Sequence, residues 1–389
     1  DFCLSRGLGD VYKRQGMTSR DLTENIEALQ IRHGLELVHT KVVALLARLA
    51  EASVKYADQP ITGRSHNVPA QVTTLGKRFA TIAEELLFAY ERLIALQDRY
   101  PMRGIKGPVG TAQDSIDLLG TSEAHHALEQ AISKELGFSN VLDSTGQIYP
   151  RSFDYDVLTT LVQLAAAPSN LATSIRLMAG AELVTEGFKQ GQVGSSAMPH
   201  KMNTRSCERV NGLAVVLRGY ASMISELSGN QWNEGDVSCS VVRRVALADS
   251  FYAFDGLMET ILTVLDEFGT FPALINAELE RQLPFLATTK ILMAAVKAGV
   301  GREVAHEVIK EHAVKATIAT REGKANTFFD DVAADSRIPL DRTSLDSLIG
   351  QPLDFAGDAQ QQVVRVVNRV NAITSNFKDA SQYSADSIR

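Results

Sequence analysis

The chain has 389 residues and a formal net charge of −7, with 45% hydrophobic and 6% aromatic residues. This balance argues against nucleic acid or an anionic membrane surface as the main partner, because both attract basic proteins. No apolar run reaches the ~20 residues that span a bilayer. The three cysteines form no CxxC pair and are too few for a disulfide framework, which is typical of a reducing, cytoplasmic setting.

Residues 1–15 differ from the rest of the chain. They begin without Met, and they show no apolar period that continues into the next segment. We expect residues 1–16 to be a foreign or mis-joined leader; a short disordered native tail is the alternative.

Beyond this leader, apolar residues recur at helical spacing in long segments joined by polar loops. Long helices are predicted at about 21–57, 71–98, 112–136, 155–190 (bent at Pro168), 204–228 and 240–268. Residues 58–69 are expected to be irregular, and shorter helices are predicted at about 277–282, 288–298, 302–322 and 358–375. Such long helices must pack side by side to bury their apolar stripes. The fold class is therefore all-α, with a central bundle at 17–284 and a small helical C-terminal domain at 285–389.

Four polar clusters lie at the ends of these helices. They are GRSHNVPAQ at 63–71, STGQIYPR at 144–151, GQVGSSAMPHKMN at 191–203 with RSCER at 205–209, and WNEGDVSCSVVRR at 232–244. In the first, His66 suits proton transfer near neutral pH, although a lone histidine is often a surface or capping residue. The second could be an ordinary helix cap, and the charges at 205–209 a solvated helix face. The fourth could be a structural junction, but its paired arginines suit a carboxylate or phosphate.

The third cluster combines the most functional groups. Two glycines permit unusual backbone angles and Pro199 stiffens the exit, while two hydroxyls, an imidazole, an ammonium and a carboxamide lie between them. A flexible interhelical loop would explain the glycines and serines, but not the sequence MPHKMN. This stretch therefore predicts a functional site.

Several standard chemistries are excluded by their missing motifs. Met198 replaces the second glycine of a G-x-S-x-G elbow, and neither a phosphate-binding loop nor a dinucleotide fingerprint is present. The adjacent His125 and His126 diverge by ~100° on a helix and HExxH is absent, so we predict no metal site, and this pair as structural or exposed. We also predict no cofactor. The remaining groups suit acid–base elimination from a polyanionic substrate, with a serine base activated by Lys201 and the glycine-rich loop.

The stretch 194–203, GSSAMPHKMN, resembles the signature loop of the fumarase/aspartase superfamily, and its MPHK resembles the adenylosuccinate lyase family within it. MTSRD at 17–21, GRSH at 63–66, GPVGT at 107–111 and GQ at 146–147 agree in type and order. The resemblance implies a cytoplasmic homotetramer with active sites shared between three subunits. It also implies anti β-elimination of fumarate from two small-molecule substrates, adenylosuccinate and the succinylcarboxamide intermediate of purine synthesis.

The resemblance also implies roles for individual residues. Ser195 would be the general base, His66 the general acid, and Glu208 the group that polarises His66. The positions that match substrate-binding residues are Thr18, Ser19, Ser65, Gln147, Lys201, Asn203, Arg209, Ser240 and Arg244. Lys201 and Asn203 would bind substrate carboxylates.

Three departures from the family pattern qualify this interpretation. Many relatives have Pro where this chain has Thr204, and many have Arg where it has Gly235, so that one phosphate or carboxylate contact is absent or replaced. The family's N-terminal domain is expected before Thr18, where only the leader stands, so we expect a truncated enzyme. Two alternatives stay open: another fumarate-releasing lyase, such as one acting on argininosuccinate, and a non-catalytic helical scaffold. The combination of Ser195, His66, Lys201 and Glu208 speaks against the scaffold.

Overall fold

The computed structural model describes residues 16–187, 198, 200–348 and 350–386. The described chain is mainly helical, which confirms the predicted fold class. The helices are α1 (Ser19–Lys55), α2 (Leu75–Arg99), α3 (Gln113–Leu119), α4 (Ser122–Glu135), α5 (Ser152–Leu164), α6 (Ala166–Gly180), α7 (Arg205–Ser225), α8 (Cys239–Glu267), α9 (Pro272–Leu286), α10 (Thr288–Lys297), α11 (Arg302–Arg321), α12 (Phe328–Ala333), α13 (Arg342–Leu348), α14 (Ala359–Thr374) and α15 (Lys378–Ser381), with a 3₁₀ turn at Pro352–Phe355. The strands are β1 (Pro60–Ser65), β2 (Val68–Thr74), β3 (Val184–Thr185) and β4 (Gly269–Thr270).

The long helices form a bundle around one large hydrophobic core. Helix α1 has 37 residues and is therefore about 55 Å long at the usual rise per residue. It runs parallel to α8, because Arg20 contacts Ser240 near the start of both helices and Arg48 contacts Asp266 near the end of both. We call the end where α1 and α8 begin the cavity end, and the opposite end the loop end.

The segment after α1 differs from the prediction. The residues expected to be irregular, 58–69, form most of an antiparallel hairpin in which Ile61 pairs with Thr73 and Ser65 with Val68. His66 and Asn67 form the two-residue turn, and both have the positive φ (51° and 61°) that type I′ hairpin turns require. Of the residues that suggested a loop, Pro60 lies at the start of β1, Gly63 at a bulge and Pro69 in β2. Helix α2 consequently begins at Leu75 rather than at 71.

Two predicted helices are each divided in two. The segment 112–136 is broken at Gly120, whose φ of 88° ends α3 in the left-handed conformation that glycine tolerates. The segment 155–190 is broken at Ala165 and stops at Gly180. Pro168 lies in the first turn of α6, where a missing N–H costs little. The break therefore precedes the proline, and the bundle is built from shorter pieces on this side.

The C-terminal part contributes to two cores. Residues of α10 to α13 form a second hydrophobic cluster, which includes Ile291, Val308 and Leu345. Helix α14 instead packs against α1 and α2, and Val370 belongs to the main core. The division into domains at 284/285 stays a prediction. In the described ranges, no helix combines the length and apolar character needed to cross a membrane.

Candidate active site

A cavity of about 1090 Å³ opens at the cavity end between the N-terminal halves of α1 and α8. Four predicted substrate-binding residues line it: Ser19, Gln147, Ser240 and Arg244. Thr18 immediately precedes Ser19 as the N-cap residue of α1. The structure thus brings together residues that are more than 200 positions apart in sequence.

A buried carboxylate holds this part of the cavity wall. Asp21 accepts hydrogen bonds from the Thr18 N–H (2.7 Å), the Gly107 N–H (3.0 Å) and the Arg103 guanidinium (2.6 Å). Arg103 also donates to the Gly146 carbonyl at 2.8 Å. Asp21 and Arg103 are both almost fully buried. Since one ion pair connects the segments that carry Ser19 and Gln147, the positions of these two residues are fixed relative to each other.

A second buried network lies behind Arg244. Arg243 donates to Asp154 at 2.7 Å and to Glu27 at 2.5 Å, and its guanidinium also contacts the Tyr149 hydroxyl. Burial alone would lower the pKa of Arg243, but the phenol of Tyr149 and the carboxylate of Asp154 raise it above its ordinary value. Burial also raises the pKa of Tyr149. Arg243 therefore stays charged, and Tyr149 keeps its proton, at any physiological pH.

Ser65 and His66 lie far from this cavity. They are exposed at the tip of the β1–β2 hairpin, which follows the end of α1 at the loop end. The neighbouring Arg64 forms an ion pair with Glu278 of α9. The hairpin is thus attached to the bundle while its turn, with the candidate acid, faces outward.

The residues predicted around the start of α7 lie at the loop end as well. Glu186 accepts the N–H groups of Ser206 (2.9 Å) and Cys207 (2.8 Å), so a carboxylate from the preceding segment caps α7. Burial and the charge of Glu186 raise the pKa of the Cys207 thiol, which makes it unreactive at neutral pH. Beside this cap, the predicted residues Lys201, Glu208 and Arg209 are exposed, and Asn203 is half-buried. Ser195, the candidate base, and Ser196 lie outside the described residues.

The two groups of predicted residues are separated by most of the bundle's length. Strand β3, which leads toward α7, pairs with β4, which directly follows α8. The start of α7 therefore lies beside the end of α8, whereas Ser240 lies at its beginning. From Ser240 to Glu267, the last residue of α8, the chain advances 27 residues (267 − 240), which corresponds to about 40 Å at the usual helical rise. Among the described residues, a single copy of the chain does not bring the two groups into contact.

The sequence analysis missed several polar side chains of the cavity and the ion pairs behind it. The missed lining residues include Arg20, Thr23, Glu27 and Gln30. The pairs Asp21–Arg103, Glu24–Arg151 and Asp154–Arg243 are buried. Arg20 could have been noticed because it lies inside the MTSRD cluster. The ion pairs join distant segments and leave no local signal. In the described part of the chain, no group of three His, Cys, Asp or Glu residues is arranged for a metal; His125 is buried against Ser115, and His126 is exposed.

Comparisons with known proteins define the class and then the family. Solved structures with the same fold include the 3-carboxy-cis,cis-muconate lactonizing enzyme of Pseudomonas putida (TM-score 0.79, 19% identity, 95% of this chain and 80% of that one). Another is a fumarate lyase of Mesorhizobium sp. BNC1 (TM-score 0.78, 20% identity, 93% and 79%). At such identities the likeness concerns the fold alone. Residues 12–219 match the family model described as Lyase. Fold and sequence together define a lyase of the fumarase/aspartase superfamily.

Relatives with higher sequence identity identify the family within this superfamily. Residues 284–366 match the model described as Adenylosuccinate lyase C-terminus. The chain is 35% identical to the adenylosuccinate lyase of Saccharomyces cerevisiae, over 91% of this chain and 74% of that protein. It is 33% identical to that of Schizosaccharomyces pombe (93% and 76%) and 32% identical to that of Archaeoglobus fulgidus (95% and 81%). The chain belongs to the adenylosuccinate lyase family.

Proposed function

We propose that the protein releases fumarate by anti β-elimination from adenylosuccinate, giving AMP, and from succinylaminoimidazole carboxamide ribotide, giving its carboxamide product. Both reactions belong to purine nucleotide biosynthesis, which we place in the cytoplasm. The observation that carries the proposal is the cavity at the cavity end. Four of its lining residues, Ser19, Gln147, Ser240 and Arg244, match substrate-binding positions implied by the family resemblance, and its arginines and hydroxyls suit a substrate with phosphate and carboxylate groups.

The reaction requires one group that removes a proton and a second group that supplies one. Ser195 removes the proton from the succinyl carbon next to a carboxylate, and the electron pair forms the double bond of fumarate while the carbon–nitrogen bond breaks. His66, polarised by Glu208, protonates the departing nitrogen. Lys201 and Asn203 bind the carboxylates and stabilise the negative charge that develops in the transition state. In this proposal Thr18, Ser19, Ser65, Gln147, Arg209, Ser240 and Arg244 bind the rest of the substrate.

A complete site requires more than one copy of the chain. The cavity holds one group of residues, and the other group lies about 40 Å away along α8. We propose a homotetramer in which the loop end of one subunit meets the cavity end of another. Exposed apolar side chains on the bundle helices support this assembly, since such surfaces mark interfaces. Those on α7 and α8 include Val215, Val241, Val245 and Tyr252.

The test is an assay of fumarate release with adenylosuccinate and argininosuccinate side by side. We expect turnover of adenylosuccinate and none of argininosuccinate. Release from argininosuccinate alone would assign a different lyase. The absence of fumarate from both substrates would contradict the enzymatic role and favour a scaffold.

A further inference from the structure

Arg20 is placed to act inside the cavity. Its side chain is 15% exposed and lines the cavity wall beside Ser240. One guanidinium nitrogen donates to the Ser240 hydroxyl at 3.2 Å, and the other donates to Glu24 at 3.1 Å. The guanidinium is therefore held at two points and in a defined orientation.

The charge of Arg20 is only partly balanced by these contacts. The carboxylate of Glu24 is fully buried, and it also accepts a hydrogen bond from Arg151 at 2.9 Å. One carboxylate thus serves two guanidinium groups, and the other partner of Arg20 is a neutral hydroxyl. Arg243, by contrast, contacts both Asp154 and Glu27. On its Ser240 side Arg20 therefore has a neutral partner, and its guanidinium can also donate to an oxyanion in the cavity.

Gly235, next to the cavity residue Gln147, has no side chain and contributes no charge to the cavity. Gly235 packs against the cavity residue Gln147, and a Cβ atom there would lie 3.2 Å from the Gln147 Cβ. The backbone of residue 235 is thus closed off by its neighbours.

We propose that Arg20 is a substrate-binding residue that, together with Ser240 and Arg244, holds an oxyanion group of the substrate. Phosphate and carboxylate share the oxygen geometry that a guanidinium recognises. The Ser240 hydroxyl, which accepts from Arg20, can donate its own proton to the same oxyanion. The inference rests on the proposed function for the identity of the ligand, a succinyl nucleotide.

The experiment compares Arg20→Gln with the wild-type chain by calorimetric titration with AMP, adenosine and fumarate. A lost charged hydrogen bond of ordinary strength corresponds to a roughly 10- to 100-fold weaker Kd. If the ligand group is a phosphate, AMP binding weakens by this factor and adenosine binding does not change. If it is a carboxylate, fumarate binding weakens instead. Arg365→Gln, which removes an exposed arginine of α14 paired with Asp358, should leave all three affinities unchanged.

The outcomes separate this inference from the proposed function. Unchanged affinity of Arg20→Gln for both AMP and fumarate overturns it, as does a wild-type chain that binds neither ligand at millimolar concentration. A chain that binds AMP through Arg20 but releases no fumarate contradicts the proposed function only. If thermal unfolding shows that Arg20→Gln is misfolded, Arg20→Lys decides: it keeps the charge without the fork of donors, so binding weakens less but measurably. Binding equal to wild type in Arg20→Lys then overturns the inference.

Discussion

The two ends of the bundle present their polar residues in opposite ways. At the cavity end, Ser19 and Gln147 are fixed through the buried pair Asp21–Arg103. At the loop end, His66 and Lys201 are exposed. Buried ions must be paired and hydrogen-bonded, which fixes their geometry, whereas exposed groups can still acquire a new environment. The cavity-end residues are thus positioned within a single chain, whereas the exposed loop-end residues are open to contact with a second copy.

The largest expected effect concerns the proposed base, Ser195. Replacing Ser195 by Ala should lower turnover by roughly 10²–10⁴-fold, as removal of a general base does, with little change in substrate affinity. Turnover and the dissociation constant for adenylosuccinate are measured separately. Ser196→Ala is the matched control and should keep its turnover. Equal losses of turnover and affinity in Ser195→Ala would contradict its role as base.

Mixing two variants, each defective at one end of the bundle, tests directly whether the two ends of different chains form one site. His66→Gln and Arg244→Gln should each be nearly inactive. Refolding them together at equal amounts should restore about one site in four, because each shared site draws randomly on both chains. Fumarate release of the mixture is the measurement.

The control for this mixture removes the source of intact His66. His66→Gln mixed with the double variant His66→Gln, Arg244→Gln should stay at background. If the first mixture also stays at background although both chains assemble, the two ends do not share a site.

The third prediction concerns the stability of the cavity end. Asp21→Ala leaves buried Arg103 without its carboxylate, which typically costs about 3–5 kcal/mol of the free energy of unfolding. Asp346→Ala removes the carboxylate of an exposed pair with Arg342 and should cost only about 0–1 kcal/mol. Urea unfolding at one protein concentration measures both variants. Similar losses would show that the cavity end is not held by its buried ion pairs.

The smallest expected effect is a pH dependence of the contacts between Glu259, which lies nearer the loop end, and the C-terminal segment. Burial alone would raise the pKa of Glu259, but hydrogen bonds from Lys41 and Tyr383 outweigh it and lower this pKa. Glu259 also accepts the Asp386 N–H at 2.8 Å, so it attaches the C-terminal segment to the bundle. Because the folded pKa lies below the unfolded one, this stabilisation is complete above about pH 4.5 and is lost as the pH falls through the folded pKa.

Amide hydrogen exchange at residues 383–386 measures this effect. We expect faster exchange below about pH 4.5, after correction for the intrinsic rate, and in Glu259→Gln at all pH values. Exchange in Glu259→Gln that equals the wild type at neutral pH would show that the carboxylate does not hold this segment.

The sequence predicted the individual site residues but not their arrangement in space. Polar clusters contained Gln147, Ser240 and Arg244, and the resemblance to family motifs added Ser19; these four line one cavity. Their resemblance to family motifs supplied the proposed roles. The resemblance implied that His66 and the other site residues come from different subunits, but no local pattern indicated at which end of the bundle each one lies, because distance along the chain does not determine distance in space.

Apolar spacing was sufficient to predict α1, α2, α7 and α8, since it is a local property of each segment. The prediction was wrong where a local rule has two outcomes. The prolines and glycine of 58–69 suggested a loop, but the pairing of β1 with β2 made a hairpin, and the predicted helices 112–136 and 155–190 are each divided in two. The burial of charge pairs such as Asp21–Arg103, and the end of the bundle at which each predicted residue lies, follow from the packing of the helices. These contacts join positions tens to hundreds of residues apart, and their geometry is set by how the helices pack rather than by any segment's own preference.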